Sequence, residues 1–285
     1  MNRMKQALQE AIKAREGKEV HLFRNNLAEV PASEDLDLDE NKVRKQAQLD
    51  DLAPRVEKVD PQVLKRNRVF SLFHDHEMTD QIALLRTQVV SKLNETGGNS
   101  LLVTSALPGE GKTFVSINLG VSLSRELDRT VLIVDADLKN PVKQHYDFAR
   151  DFFGINGNHG LADYLLGQIE LPEPFVNPGI DRLTLLPAGK QLPNSAELLN
   201  SSRMKALVAQ LKDSYPSDHI LIFDSPSLLC SDPLVLSEFV DGILIVVEEN
   251  RTRANDLKHA VDLLRNKNIL GTVLNKSRTK DLRYV

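Results

Sequence analysis

An α/β fold, with a mainly parallel sheet and helices on both faces, follows from three features of this 285-residue sequence. Short runs dense in Leu, Ile and Val recur between residues 100 and 276: SLLVTSA, TVLIVDA, RLTLLPA, HILIFDS, GILIVVE and GTVLNK. Runs so continuously apolar suit strands buried on both faces, the situation of a parallel sheet covered by helices on either side. Helix-like stretches separate them. Polar residues gather where the runs end, at the edge where open α/β sheets bind ligands.

Ahead of the sheet, residues 2–16 have the spacing of a short amphipathic helix, with Met4, Leu8, Ala11 and Ile12 on one stripe and Gly17 ending it. Residues 31–60 are polar and charge-dense, including the acidic run Glu34-Asp35-Leu36-Asp37-Leu38-Asp39-Glu40, and hold too little apolar material to order themselves. Residues 1–77 are therefore expected to be this helix and a largely disordered acidic linker, and residues 78–285 the folded domain. The domain opens on TDQIALLRTQVVSKLNE, a helix with Ile82, Leu85, Val89 and Leu93 on one face, stopped by Gly97-Gly98.

Composition narrows the function. Hydrophobic residues at 41% support a substantial core, and charged residues at 27% are ordinary for a soluble protein. A net charge of −4 argues against a nucleic-acid binder. One cysteine, Cys230, leaves no internal disulfide, fits a reducing compartment and reads as a small buried hydrophobe. No apolar run approaches the ~18–20 residues that span a bilayer, and the first twenty residues lack the apolar centre of a signal peptide. A cytoplasmic protein is expected, one that something else would have to bring to a membrane if it acts there. The histidines, among them His74, His76 and His145, show no metal-ligand spacing.

The chemistry starts at Ala106-Leu107-Pro108-Gly109-Glu110-Gly111-Lys112-Thr113, which matches the phosphate-loop pattern G-x-x-x-x-G-K-[ST] except for alanine at its first position. Gly109 and Gly111 let the backbone turn so that its N–H groups face phosphate oxygens. Lys112 neutralises β- and γ-phosphate charge, and the Thr113 hydroxyl can ligate Mg²⁺. SLLVTSA before the loop and FVSINLGVSLSREL after it supply the strand and helix that the motif requires. The α/β class thus sharpens to a P-loop NTPase fold.

Carboxylates end two further strands. Thr130–Val134 runs into Asp135-Ala136-Asp137, and Ile220–Phe223 runs into Asp224-Ser225-Pro226. An apolar strand ending in Asp is the form of a Walker-B carboxylate, which holds Mg²⁺ directly or through water. Any single one of these residues could merely cap a turn. Their joint placement around one phosphate loop points to a nucleotide site.

These stretches, with GLADYLLGQ (160–168), LLPAGKQLPNSAELLNS (185–201) and the late GTVLNK, occur in the order found in the bacterial tyrosine autokinases of polysaccharide biosynthesis, the cytoplasmic domains of polysaccharide co-polymerases. The resemblance covers about residues 78–276. It implies an ATP- and Mg²⁺-dependent protein-tyrosine kinase, with Pro108, Gly109, Glu110, Gly111, Lys112, Thr113 and Phe114 around the nucleotide and Asn275 near the adenine. Thr113, Asp135 and Asp224 would hold the metal. Lys112, Asp135 and Asp137 would be catalytic, with Asp135 or Asp137 accepting the tyrosine proton. The implied partners are a transmembrane polysaccharide co-polymerase or activator, protein tyrosine substrates and other copies of the chain in a homo-oligomer.

Departures from the family pattern qualify this picture. Ala83, in Asp80-Gln-Ile-Ala83-Leu-Leu-Arg86, stands where the family carries the first of two arginines used in self-association, which implies weaker assembly. Pro226-Ser227 replaces a double proline, and Leu192-Pro193-Asn194-Ser195 a proline-rich loop. The usual C-terminal tyrosine cluster is reduced to Tyr284, the expected phosphoacceptor. Two other readings share the fold. One is a catalytically weak ATP-binding switch that controls assembly of a membrane polysaccharide export complex. The other is a positioning ATPase, against which Leu107 stands, because that class places a second lysine there.

Overall fold

The computed structural model describes residues 54–73, 77–139, 147–156, 159–214 and 219–277. In chain order the strands are β1 (Arg55–Val56), β2 (Ser100–Ser105), β3 (Thr130–Asp135), β4 (Val176–Asn177), β5 (Leu183–Leu186), β6 (His219–Asp224), β7 (Gly242–Glu248) and β8 (Ile269–Asn275). The helices are α1 (Pro61–Arg66), α2 (Glu77–Thr96), α3 (Lys112–Ser124), α4 (Phe148–Phe153), α5 (Leu161–Leu165), α6 (Ser195–Leu199), α7 (Ser202–Ser214), α8 (Asp232–Leu236) and α9 (Ala254–Leu263). A 3₁₀ turn occupies Phe70–Leu72.

Among the described residues, eight strands join one sheet in the order β1-β4-β5-β3-β6-β2-β7-β8. Every pair is parallel except β4–β5. The six apolar runs are β2, β3, β5, β6, β7 and β8. Side chains alternate across a strand, so a run apolar at every position feeds two cores. Leu102, Leu132, Val134, Leu221 and Phe223 face one layer with α7 residues Met204, Leu207 and Leu211. Leu101, Val103, Val131, Ile133 and Ile222 face the other, with Val89 and Leu93 of α2 and Ile117 and Val121 of α3.

Of the predicted α2 stripe, Ile82, Val89 and Leu93 are buried and Leu85 is half-buried. Gly97 ends the helix with φ +65. The two motif stretches 160–168 and 185–201 prove to be one structural unit. Leu161 N and Ala162 N donate to Pro187 O and Ala188 O at 2.8 and 2.9 Å. Buried Asp163 accepts from Gly160 N at 3.0 Å and pairs with Lys190 at 3.1 Å.

The expected boundary at residue 77 is moved by the structure. Residues 54–73 belong to the folded domain: Arg55 N and Glu57 N donate to Phe175 O and Asn177 O at 3.1 and 2.8 Å, adding β1 to the sheet. Leu64 and Val69 are buried, and the side chain of buried Asn118 on α3 donates to Arg68 O and accepts from Ser71 N. Its apolar residues join the core: Leu64 and Val69 lie within it, and Val59, Leu72 and Phe73 pack against it. Residues 1–53, including the Met4–Ile12 stripe and the acidic run, lie outside the described residues, as do His74, His76, Tyr146, Tyr215 and Tyr284.

Candidate nucleotide site

Strand order explains where the chemistry collects. β6 lies between β3 and β2, with Asp135 opposite Asp224 and Asp224 opposite Val103. The C-terminal ends of β3 and β6 therefore deliver their carboxylates beside the loop that follows β2. That loop turns into α3 through Gly109 at φ +78 and Gly111 at φ +94, conformations that L side chains rarely adopt. Gly111 is doubly constrained, because a Cβ there would collide with the Asn275 amide.

Lys112, the first residue of α3, is almost fully buried, as are Asp135 and Asp224 at 2% exposure each. The Ser116 hydroxyl lies 3.1 Å from Lys112 O and donates to Asp224 Oδ1 at 2.9 Å. Burial lifts the Asp224 carboxyl to about 6, against hydrogen bonds from Thr113 and Ser116 and the charge of Lys112, which hold it down. Asp135 is pushed well above the ordinary carboxylate range, first by burial, then by the Asp224 and Asp137 charges. Asp137 N donates to Asp135 Oδ1 at 3.1 Å. The Asp137 carboxyl is raised by burial and by Asp232, while Lys112 opposes the rise. Crowded buried carboxylates of this kind mark a place built to receive positive charge.

The structure thus brings together Lys112, Thr113, Asp135, Asp137 and Asp224. It treats three other sequence candidates differently. The buried Glu110 carboxylate accepts from Leu107 N at 2.8 Å and from the Thr252 hydroxyl, so this side chain braces the loop instead of facing a phosphate. The Phe114 ring packs edge-on against Phe70 with centroids 6.2 Å apart, and helps line a 230 Å³ cavity with Met78, Ile82, Val273 and Asn275. Asn275 Nδ2 donates to Glu110 O at 2.8 Å, which makes the loop itself its partner.

Sequence reasoning missed Asp232. It is fully buried at the start of α8, accepts from the Ser195 hydroxyl at 2.6 Å, and its Oδ1 has no hydrogen-bond partner among the described residues. The only sequence signal was an Asp-Pro pair eight residues past Asp224, which reads as a helix start. Cys230, half-buried beside it, has its thiol raised by burial.

Hard oxygen donors from Thr113, Asp135 and Asp224 fit Mg²⁺, which keeps several waters and takes one or two carboxylates together with phosphate oxygens. Among the described residues no three carboxylate, imidazole or thiol groups form a complete metal cage. A site completed by a ligand's phosphates needs no such cage.

A loop between a buried central strand and a helix, flanked by carboxylates on the neighbouring strands, defines a nucleotide-binding domain of the P-loop NTPase type. Comparison gives the family: the chain belongs to the CobQ/CobB/MinD/ParA nucleotide binding domain family, whose sequence model matches residues 101–283. Among curated proteins it is similar to the tyrosine-protein kinase etk of Escherichia coli K12, 31% identical over 198 residues that cover 69% of this chain and 26% of the relative. It is also 29% identical to the tyrosine-protein kinase YwqD of Bacillus subtilis over 211 residues, covering 72% of this chain and 84% of the relative. The solved kinase domain of Escherichia coli ETK superposes with a TM-score of 0.66 at 25% identity, covering 89% of this chain and 98% of that one. The chain spans about a quarter of the length of the etk kinase, and most of YwqD.

Proposed function

We propose that this chain is an ATP-dependent protein-tyrosine autokinase that regulates exopolysaccharide or capsule biosynthesis and export. The observation that carries the reading is the convergence of Lys112 with the Asp135, Asp137 and Asp224 carboxylates at the end of β3 and β6. In this reaction the tyrosine oxygen attacks the γ-phosphorus of ATP, the bond from that phosphorus to the bridging oxygen breaks, and ADP leaves. A phenol with a pKa near ~10 is protonated at neutral pH, so a base must take its proton. Asp137 or Asp135 does so, and burial supports the role by raising both carboxyls towards neutral pH. Lys112 sits where it can balance β- and γ-phosphate charge. Thr113, Asp224 and Asp135 would hold Mg²⁺, which supplies charge neutralisation across the phosphates when bound.

Tyr284 is the proposed acceptor, reached between molecules. Tyr164, by contrast, is buried beneath the Arg203 guanidinium, which lies 4.4 Å from its ring centroid. The proposed setting is the cytoplasmic side of the inner membrane, held there by a transmembrane co-polymerase or activator. Incubation of purified protein with labelled ATP and Mg²⁺ tests the reading. Phosphotyrosine on the protein, mapped by mass spectrometry, is expected together with ADP, and both are lost in Lys112→Met.

ADP formation without phosphotyrosine would favour the second reading, an ATP-driven assembly switch. One observation keeps that reading in view. Arg86, the arginine retained in the self-association stretch, is spent inside the chain, 3.0 Å from Glu126 and 3.1 Å from Ser122 O. Beside Ala83, it offers little to a ring of copies.

A further inference from the structure

Two successive carbonyls of the phosphate loop are gripped by two successive residues at the end of β8. Asn275 Nδ2 donates to Glu110 O at 2.8 Å, and Lys276 Nζ donates to Gly109 O at 2.8 Å. A trans peptide is planar, so its N–H points opposite to its C=O. Holding the Gly109 carbonyl towards β8 therefore turns the Glu110 N–H away from β8. Holding the Glu110 carbonyl does the same for the Gly111 N–H.

The grip is itself supported. Lys276 adopts φ +56, a left-handed conformation uncommon outside glycine. Its ammonium is shared with Glu248 Oε2 at 2.9 Å, and Glu248 in turn holds Arg251 at 2.9 Å. Arg251 lies against Gly109, with Nη1 3.2 Å from where a Cβ would stand. From the same connection the Thr252 hydroxyl reaches the Glu110 carboxylate and accepts from Glu248 N at 2.8 Å. The outer side of the loop is thus fastened to residues 248–252 and 275–276, drawn from the ends of β7 and β8.

We infer that Asn275 and Lys276 are positioning residues for phosphate binding: they aim the Glu110 and Gly111 N–H groups at the nucleotide's phosphates. The inference rests on the nucleotide reading above. It gives Asn275 a role that does not involve the base.

Asn275→Asp keeps the side chain's shape but replaces the donor with an oxygen that faces Glu110 O. Lys276→Met removes the ammonium from a half-exposed position, and Lys276→Arg restores a cation. Affinities would be measured for Mg-ATP, Mg-ADP, pyrophosphate and adenosine, with melting temperature and circular dichroism of each ligand-free protein. Each of the first two variants should weaken ATP, ADP and pyrophosphate about tenfold, the loss of one charge-assisted or loop-fixing hydrogen bond. Adenosine affinity and the ligand-free melting temperature should hold, and Lys276→Arg should recover most of the loss.

Unchanged pyrophosphate affinity in the Asn275→Asp/Lys276→Met double variant would overturn the inference. So would an adenosine loss as large as the pyrophosphate loss, since that would mean a base contact. If the unaltered protein binds neither nucleotide nor pyrophosphate, the nucleotide reading itself fails, and this inference with it.

Discussion

Asp224→Asn is expected to make the ligand-free protein more stable and to abolish its Mg-nucleotide binding. The Asp224 carboxyl titrates near 6 in the folded protein against an ordinary value of 3.8. Between those values the native state holds a proton that the unfolded chain has released, so stability falls as pH rises through the interval. Above about pH 6 the full penalty applies, about 3 kcal/mol for a shift of this size. Asparagine keeps an oxygen to accept from Ser116 and Thr113 while carrying no charge. Removing that charge also relieves Asp135, whose carboxyl Asp224 helps to push up. The measurable consequence is a melting temperature higher by about 6–12 °C at pH 8, at about 2–4 °C per kcal/mol for a domain of this size. That gain should shrink towards zero below pH 4, where both states of Asp224 are protonated. A variant that melts lower than the unaltered protein at pH 8 would contradict the electrostatic account of the site. The same substitution should remove Mg-dependent binding, since the carboxylate that burdens the ligand-free protein is one proposed to receive the cation.

How much of this was legible in the sequence follows from how local each signal is. The phosphate loop, the six long strands and the Asp135, Asp137 and Asp224 carboxylates were readable because a buried strand writes itself as an unbroken apolar run. Its candidate site residue is then simply the next polar one. β1 left no such trace: it is two exposed residues, Arg55 and Val56, held by backbone bonds to a partner more than a hundred positions away. β4 is equally short. Asp232 was hidden for a related reason. Its burial depends on α6 and α8 coming together so that Ser195 meets it, and nothing in the neighbouring sequence announces that contact. Glu110 and Asn275 were placed near the right loop, but the direction in which each side chain points is decided by Leu107, Thr252 and the backbone they meet. Motif spacing fixes position along the chain and leaves those directions open.

Lys112→Met should behave as the opposite of Asp224→Asn in stability and like it in function. Lys112 is the positive charge that holds down both the Asp137 and the Asp224 carboxyls. Without it both carboxyls rise further above their unfolded values, so the interval over which rising pH costs stability widens on its upper side. The variant is accordingly expected to melt below the unaltered protein at pH 8 and to approach it at pH 4, where the carboxylates are protonated and the lysine has nothing to balance. Its overall fold should persist, because methionine fills much of the volume of the buried lysine stem and α3 remains anchored by Ile117, Leu119 and Val121. Nucleotide binding should fall at least about a hundredfold, as expected when a desolvated charge-assisted contact to phosphate is lost in a low-dielectric site. Phosphate-free adenosine should be nearly indifferent to the change. Titration of both variants with Mg-ATP, alongside melting curves at pH 4 and pH 8, separates the two effects. If Lys112→Met keeps its ATP affinity within threefold, the assignment of residues 106–113 as the phosphate loop is wrong. If affinity is lost but the pH 8 melting temperature does not drop, Lys112 serves the nucleotide alone and the carboxylates draw their compensation from another group.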